Sequence, residues 1–344
     1  MFHQSPRRTT SPRALVATAM ALLALAGSSR AVSAQPTPAA GSADGPAPDS
    51  ALASSTTGIR YRAMMIDGIS VAYREAGDPK NPTIVLLGGF PSSSHMFRDL
   101  IPELAGKFHL IAPDYPGFGN TDLPDPATFE YSFDHLSSIT EQLLVQLHVT
   151  RAGFYLQDYG GPIGNRILGR HPEWLQWLII QNGNTYEEGF TGVWDALRGA
   201  LRKTRSAETE APLEGFLELA GVKQIYLTGS PDPARISPDA WNSDLFFLAR
   251  PGAHRANLDL LYDYRKNVPL YPTWQKFLRD RQPPTLIVWG KGDVFFTQAG
   301  ATAYLRDVPK AELHFLDGGH FVLEDHATEV GALMARFYMN KVPK

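Results

Sequence analysis

The chain has 344 residues, 43% hydrophobic and 19% charged, with 30 Gly, 27 Pro, no Cys and a formal net charge of −3. That composition is an ordinary globular one and excludes disordered, collagenous and disulfide-stapled classes. Without Cys there is no thiol nucleophile, thiolate-bound zinc or disulfide, so any nucleophile must be oxygen or nitrogen.

Arg7, Arg8 and Arg13 precede an apolar run from Ala14 to Ala26, and small residues lead to Val32-Ser33-Ala34. A basic start, a short apolar stretch and an A-x-A-like end predict a secretory signal cleaved after Ala34, and hence a periplasmic or secreted protein. An uncleaved N-terminal membrane anchor is the alternative. Arg7-Arg8 admits a twin-arginine route, although Thr9-Thr10 follow in place of apolar residues. Cleavage would remove four of the 32 basic residues and no acidic one, leaving 28 against 35 and a charge of −7. A mildly acidic surface without a basic cluster has no electrostatic reason to hold nucleic acid or anionic membrane, which leaves a small molecule as the expected partner. From Gln35 to about Thr57 only Leu52 is a large aliphatic residue, so this stretch reads as a flexible Pro/Ala/Ser-rich tether.

Beyond Tyr61, short apolar runs alternate with amphipathic stretches. The runs are Ser70–Tyr73, Thr83–Leu87, Leu110–Ala112, Gly153–Leu156, Leu178–Gln181, Thr285–Trp289 and Leu313–Leu316. They predict strands of a mostly parallel, doubly wound α/β sheet buried on both faces. Leu136, Ile139, Leu143, Leu144 and Leu147 form one helical stripe, and Val330, Leu333, Met334 and Phe337 form another between Ala327 and Met339. Between about Thr185 and Gln282 the apolar spacing is helical and no Val/Ile run occurs. This predicts a helical cap (185–282) inserted into a core of 58–184 and 283–344.

Three residues that can carry chemistry sit just past predicted strands. Gly153–Leu156 runs through Gln157 to Asp158 and then Tyr159-Gly160-Gly161, a strand-to-helix corner that projects its side chain from the sheet edge. Thr285–Trp289 leads to Asp293, and Leu313–Leu316 leads to His320. Alone, Asp158 would read as a helix cap, Asp293 as a turn acid and His320 as a turn histidine. Together, in the order nucleophile, acid, base, they fit one catalytic site.

These residues, with Gly88-Gly89-Phe90-Pro91, Asp114-Tyr115-Pro116-Gly117-Phe118-Gly119, Trp289-Gly290-Lys291-Gly292-Asp293 and Asp317-Gly318-Gly319-His320-Phe321, give a chain that resembles the α/β-hydrolase family over roughly 60–340. The likeness is to its Asp-nucleophile branch of epoxide hydrolases and haloalkane dehalogenases. It implies that Asp158 attacks a saturated carbon to form an alkyl ester, which water activated by His320 then hydrolyses while Asp293 orients the imidazole. It also implies that the backbone N–H groups of Phe90 and Tyr159 form the oxyanion hole, and that no metal or organic cofactor is needed. Gly88 departs from the family's usual His, which puts the stiffness of the oxyanion loop in question. The sixth strand ends Gln181-Asn182-Gly183-Asn184 without a carboxylate, which favours Asp293 as the acid.

The resemblance divides on the leaving atom. Haloalkane dehalogenases place Trp after the nucleophile, where this chain has Tyr159, and commonly use Asn or a cap Trp as second halide ligand, where the matching loop position is Phe90. Trp194 and Trp241 lie in the cap as possible substitutes. Epoxide hydrolases use cap tyrosines as acids, one of them immediately before Arg. Tyr264-Arg265 matches, although fluoroacetate dehalogenases share that pair. Tyr226 is the choice for the second tyrosine. The expectation is epoxide hydrolysis, with haloalkane or haloacetate dehalogenation and a non-catalytic binding protein as alternatives. A metal site at His320, Glu324, Asp325 and His326 lacks the register of known ligand motifs.

Overall fold

A computed structural model describes residues 58–194 and 204–343. The predicted signal and tether lie outside the described residues. Eight strands form one sheet: β1 (Arg60–Ile66), β2 (Ile69–Ala76), β3 (Thr83–Leu87), β4 (His109–Pro113), β5 (Ala152–Gln157), β6 (Leu175–Gln181), β7 (Thr285–Gly290) and β8 (Glu312–Leu316). Their order is β1-β2-β4-β3-β5-β6-β7-β8, with β1 and β2 antiparallel and every pairing from β4 to β8 parallel. The central strands are buried almost throughout because helices cover both faces, as their unbroken apolar runs require.

Helices α1 (Leu100–Leu104), α2 (Phe133–Gln146) and α3 (Gly160–Arg170) belong to the first half of the core. Leu136, Ile139, Leu143 and Leu144 of α2 are buried as one stripe. Between β6 and β7 the described chain is helical: α4 (Ala207–Glu214), α5 (Leu219–Leu227), α6 (Pro238–Leu248), α7 (Ala253–Asp263) and α8 (Tyr271–Arg281). After β7 come α9 (Gln298–Ala303) and α10 (Leu323–Lys341), which buries Val330, Leu333, Met334 and Phe337.

Hydrogen bonds from side chains tie the helical segment to the core beneath it. Asp263 accepts from the Phe133 N–H at 2.9 Å, and Arg166 donates to Asn267 at 2.9 Å. Arg250 donates to the carbonyls of Gly117 and Thr121 at 2.9 and 3.1 Å. The ends of β3, β5, β7 and β8 therefore open toward a roof held at fixed height.

Candidate active site

Only Asp158 and Tyr159 separate β5 from α3, so the chain turns sharply at Asp158, whose φ of +47° lies in the left-handed region. A non-glycine residue pays roughly 1–2 kcal/mol there, and the neighbouring packing holds it in place. A Cβ on Gly160 would stand 2.1 Å from the Leu87 carbonyl oxygen, and one on Gly89 would stand 2.2 Å from Asp158 Cβ. Both glycines are needed so that α3 can seat on β3 and the 88–91 loop can close on Asp158. Across that approach the Phe90 N–H donates to Asp158 Oδ1 at 2.8 Å, and the Tyr159 N–H also favours the carboxylate.

The structure brings Asp158, Asp293 and His320 together. His320 Nδ1 lies 2.9 Å from Asp293 Oδ2, and His320 Nε2 lies 3.7 Å from Asp158 Oδ2. All three are buried. Asp293 Oδ1 accepts from the N–H groups of Phe295 and Phe296 at 2.8 and 3.1 Å, so the acid is fixed before it orients the imidazole. Burial lifts the Asp158 carboxyl above its ordinary value, while the His320 charge and the Phe90 and Tyr159 N–H groups pull it back. For His320 burial opposes the charged form, but Asp293, through its charge and its hydrogen bond, and Asp158 outweigh it, so the pKa ends raised.

Above these groups lies a cavity lined by Phe90, Asp158, Tyr159, Trp194, Phe216, Ile225, Leu261, Phe295, Phe296 and His320. Apart from Asp158, His320, the Tyr159 hydroxyl and the Trp194 N–H, this lining is apolar.

A sheet-edge acid at a strained corner, a histidine–acid pair from two later strands and an apolar roof are what the family resemblance requires. A family model described as the alpha/beta hydrolase fold matches residues 82–230. The "Uncharacterized hydrolase YNR064C" of Saccharomyces cerevisiae is 41% identical over 78% of this chain and 93% of its own length. A haloalkane dehalogenase of Psychrobacter cryohalolentis is 33% identical over 78% of this chain and 87% of its own. Epoxide hydrolase 3 of Xenopus tropicalis is 25% identical over 80% and 77% respectively. The chain belongs to the α/β-hydrolase superfamily, in its Asp-nucleophile branch.

The two tyrosines expected at the leaving atom stand elsewhere in this hydrolase. Tyr226 is buried in α5, but its hydroxyl donates to Asp244 at 2.6 Å and its ring stacks on Phe321 at 4.3 Å. Its neighbour Ile225 lines the cavity in its place, and this corrects the expectation for Tyr226. Tyr264 packs behind the lining, 4.6 Å from the Trp194 ring and 6.3 Å from the Tyr159 ring, with its hydroxyl 3.4 Å from that of Tyr271. Trp241 is absent from the lining and lies 6.4 Å from the Tyr226 ring. Two donors in the lining residues are buried without a hydrogen-bond partner among the described residues, the Tyr159 hydroxyl and the Trp194 indole N–H.

Sequence reasoning missed the amides around the triad. Asn182, just past β6 with φ +44°, donates to Asp293 Oδ2 at 2.7 Å and accepts from the Gly290 N–H at 3.1 Å. Gln181 donates to the His320 carbonyl at 2.9 Å and accepts from Tyr155 at 2.8 Å, and Gln157 Nε2 lies 3.1 Å from His320 Nε2. The signal available was the polar run Gln181-Asn182-Gly183-Asn184 at the end of a buried strand. At Gly88 the loop is secured by other means, since Tyr115 donates to the Gly88 carbonyl at 3.0 Å and the Ser92 N–H to the Gly89 carbonyl at 2.9 Å. A Cβ at Gly88 would meet Met96 Sδ at 2.5 Å, so the smaller residue fits this packing.

Proposed function

We propose that this hydrolase converts epoxides to diols through an alkyl ester on Asp158. Asp158 Oδ1 is held by the Phe90 N–H, and Oδ2 faces the His320 side. In the first step a carboxylate oxygen bonds to an oxirane carbon while the C–O bond breaks and the ring oxygen takes a proton. In the second, water bonds to Asp158 Cγ and gives a proton to His320 Nε2. The oxyanion rests on the N–H groups of Phe90 and Tyr159, and collapse expels the alkoxide, which is protonated from His320, while the proton left on the Asp158 carboxyl returns to the group that protonated the ring oxygen. Asp293 holds the imidazole for this transfer.

The observation that carries the epoxide reading is the phenol of Tyr159. A developing alkoxide needs a proton, which a phenol can give and an indole cannot, and here a buried, unpartnered hydroxyl occupies the position where dehalogenases carry Trp. Burial, the Asp158 charge and the Asp263 charge all raise its pKa, so alkylation of Asp158 removes the larger of the two charge effects and makes Tyr159 a better acid as the alkoxide forms. Tyr264 packs behind it, outside the cavity lining, with its hydroxyl turned to Tyr271. The unpartnered Trp194 N–H supports a second reading, halide release from a haloalkane, because a halide needs donors but no proton.

His320→Gln blocks the second step and is incubated separately with styrene oxide and 1-bromobutane. Mass spectrometry of the Asp158 peptide is expected to find the epoxide adduct. A folded variant that traps nothing from either compound overturns the ester mechanism, and adduct from the bromoalkane alone replaces the epoxide reading with dehalogenation. Tyr159→Phe is expected to slow ring opening on the order of 10²-fold.

A further inference from the structure

Resting on the ester mechanism above, we infer that Gln157 is the positioning residue for the water that hydrolyses the Asp158 ester. Gln157 ends β5 immediately before the nucleophile and is fully buried. In the neutral imidazole with Nδ1–H on Asp293 Oδ2, Nε2 carries the lone pair, and the Gln157 amide nitrogen, 3.1 Å away, is placed to donate to it. The base nitrogen of the resting enzyme is thus already covered by a side chain. The other end of the same amide, Oε1, is buried and has no hydrogen-bond partner among the described residues. A buried carbonyl oxygen without a donor is rare in folded proteins and marks a place where a donor arrives at another stage.

The second step requires such a donor. Water between His320 Nε2 and Asp158 Cγ gives one O–H to Nε2, displacing the Gln157 N–H, and must direct its other O–H somewhere. The apolar side chains of the lining accept no hydrogen bond, and Asp158 Oδ1 already receives the Phe90 N–H. Gln157 Oε1, on the amide that touches Nε2, is within the span of one bridging water. The amide accepts one O–H of the water while His320 takes the proton of the other. The water oxygen bonds to Asp158 Cγ, the Cγ–O(alkyl) bond breaks, and the proton on Nε2 goes to the departing alkoxide. Gln157 itself gains and loses no proton. Water is thereby aimed only at the ester stage, since in the resting enzyme the amide occupies the base.

The test is a single-turnover reaction with enzyme in excess over styrene oxide, following intact-protein adduct mass and diol together. Gln157→Met, of similar length and without the amide, is expected to form adduct within about threefold of the parent rate. Its decay should be slower on the order of 10²-fold, and kcat and KM should fall together in steady state. Gln157→Glu keeps the acceptor and is expected to recover most of the decay rate, with its acid limb moved to higher pH by the added carboxylate beside His320. Unchanged decay in Gln157→Met, or equal slowing of formation and decay, overturns the inference. If Gln157→Met does not fold, an unshifted acid limb in Gln157→Glu overturns it instead. His320→Gln run in parallel separates the two claims: adduct there with normal decay in the Gln157 variants defeats only the water-positioning role, and no adduct there defeats the ester mechanism itself.

Discussion

At the carboxyl edge of the sheet the acid and base of the site are fully engaged. Asp293 receives His320, Asn182 and two backbone N–H groups, and His320 is held by Asp293, Gln157 and, through its carbonyl, Gln181. In the wall beside that edge the Tyr159 hydroxyl and the Trp194 N–H are buried with no partner among the described residues, among rings packed 4.6–6.3 Å apart. A dense network of this kind, in which both imidazole nitrogens and both Asp293 oxygens are engaged, fixes one geometry, while unsatisfied donors in an apolar lining await a ligand atom. The edge thus sets the reaction that every substrate undergoes, and the wall sets which leaving atom is accepted.

Asp293→Asn breaks the edge and gives the largest effect. The amide disturbs the tautomer of His320, so kcat is expected to fall by about 10⁴-fold for every substrate alike. The same factor for styrene oxide and a bromoalkane in steady-state assays is the supporting outcome, and a loss confined to one of them contradicts the division of labour. Trp194→Phe acts on the wall alone. One hydrogen bond to a developing anion is lost, so alkylation by a bromoalkane is expected to slow by about tenfold or somewhat more, while ring opening, served by Tyr159, changes less. Equal losses for both compounds would make Trp194 a packing residue.

The same contrast explains what the sequence reveals. β3 is predicted from Thr83 to Leu87 as it occurs, because a strand buried on both faces writes itself as an unbroken apolar run. β1 leaves no such trace: five of its seven residues are exposed, and its only clear signal is the Asp67-Gly68 turn, with φ of +50° and +81°. Asp158, Asp293 and His320 are legible because each lies within four residues of a strand end, where backbone geometry decides the direction of a side chain. Tyr226 is not legible in that way. Adjacent helical residues point about 100° apart, so one position decides that Ile225 reaches the cavity and Tyr226 turns to Asp244. Gln157 and Asn182 act only through the juxtaposition of the ends of β5, β6, β7 and β8, which no local pattern records.

Tyr226 leads to the smallest expected effect on activity and a measurable one on stability. Its partner Asp244, in α6, is buried, and burial lifts the carboxyl from its ordinary 3.8 to about 7, with the Glu324 charge adding to the rise and the Tyr226 hydrogen bond and the Arg98 charge opposing it. The acid therefore binds its proton more tightly in the folded chain than in the unfolded one. Its contribution to stability is complete at low pH and is lost as pH rises from about 4 toward 7. Asp244→Asn keeps an acceptor for the Tyr226 hydroxyl and has no charge to bury. Between pH 5 and pH 8 the stability of the variant relative to the parent, read from urea unfolding, is expected to grow by up to about 3 kcal/mol. Turnover should change little, because the pair lies outside the cavity lining. A stability difference that stays constant over that range would mean that Asp244 is charged in the folded protein throughout, and that the Tyr226 hydroxyl joins α5 to α6 through an ion rather than through a neutral acid.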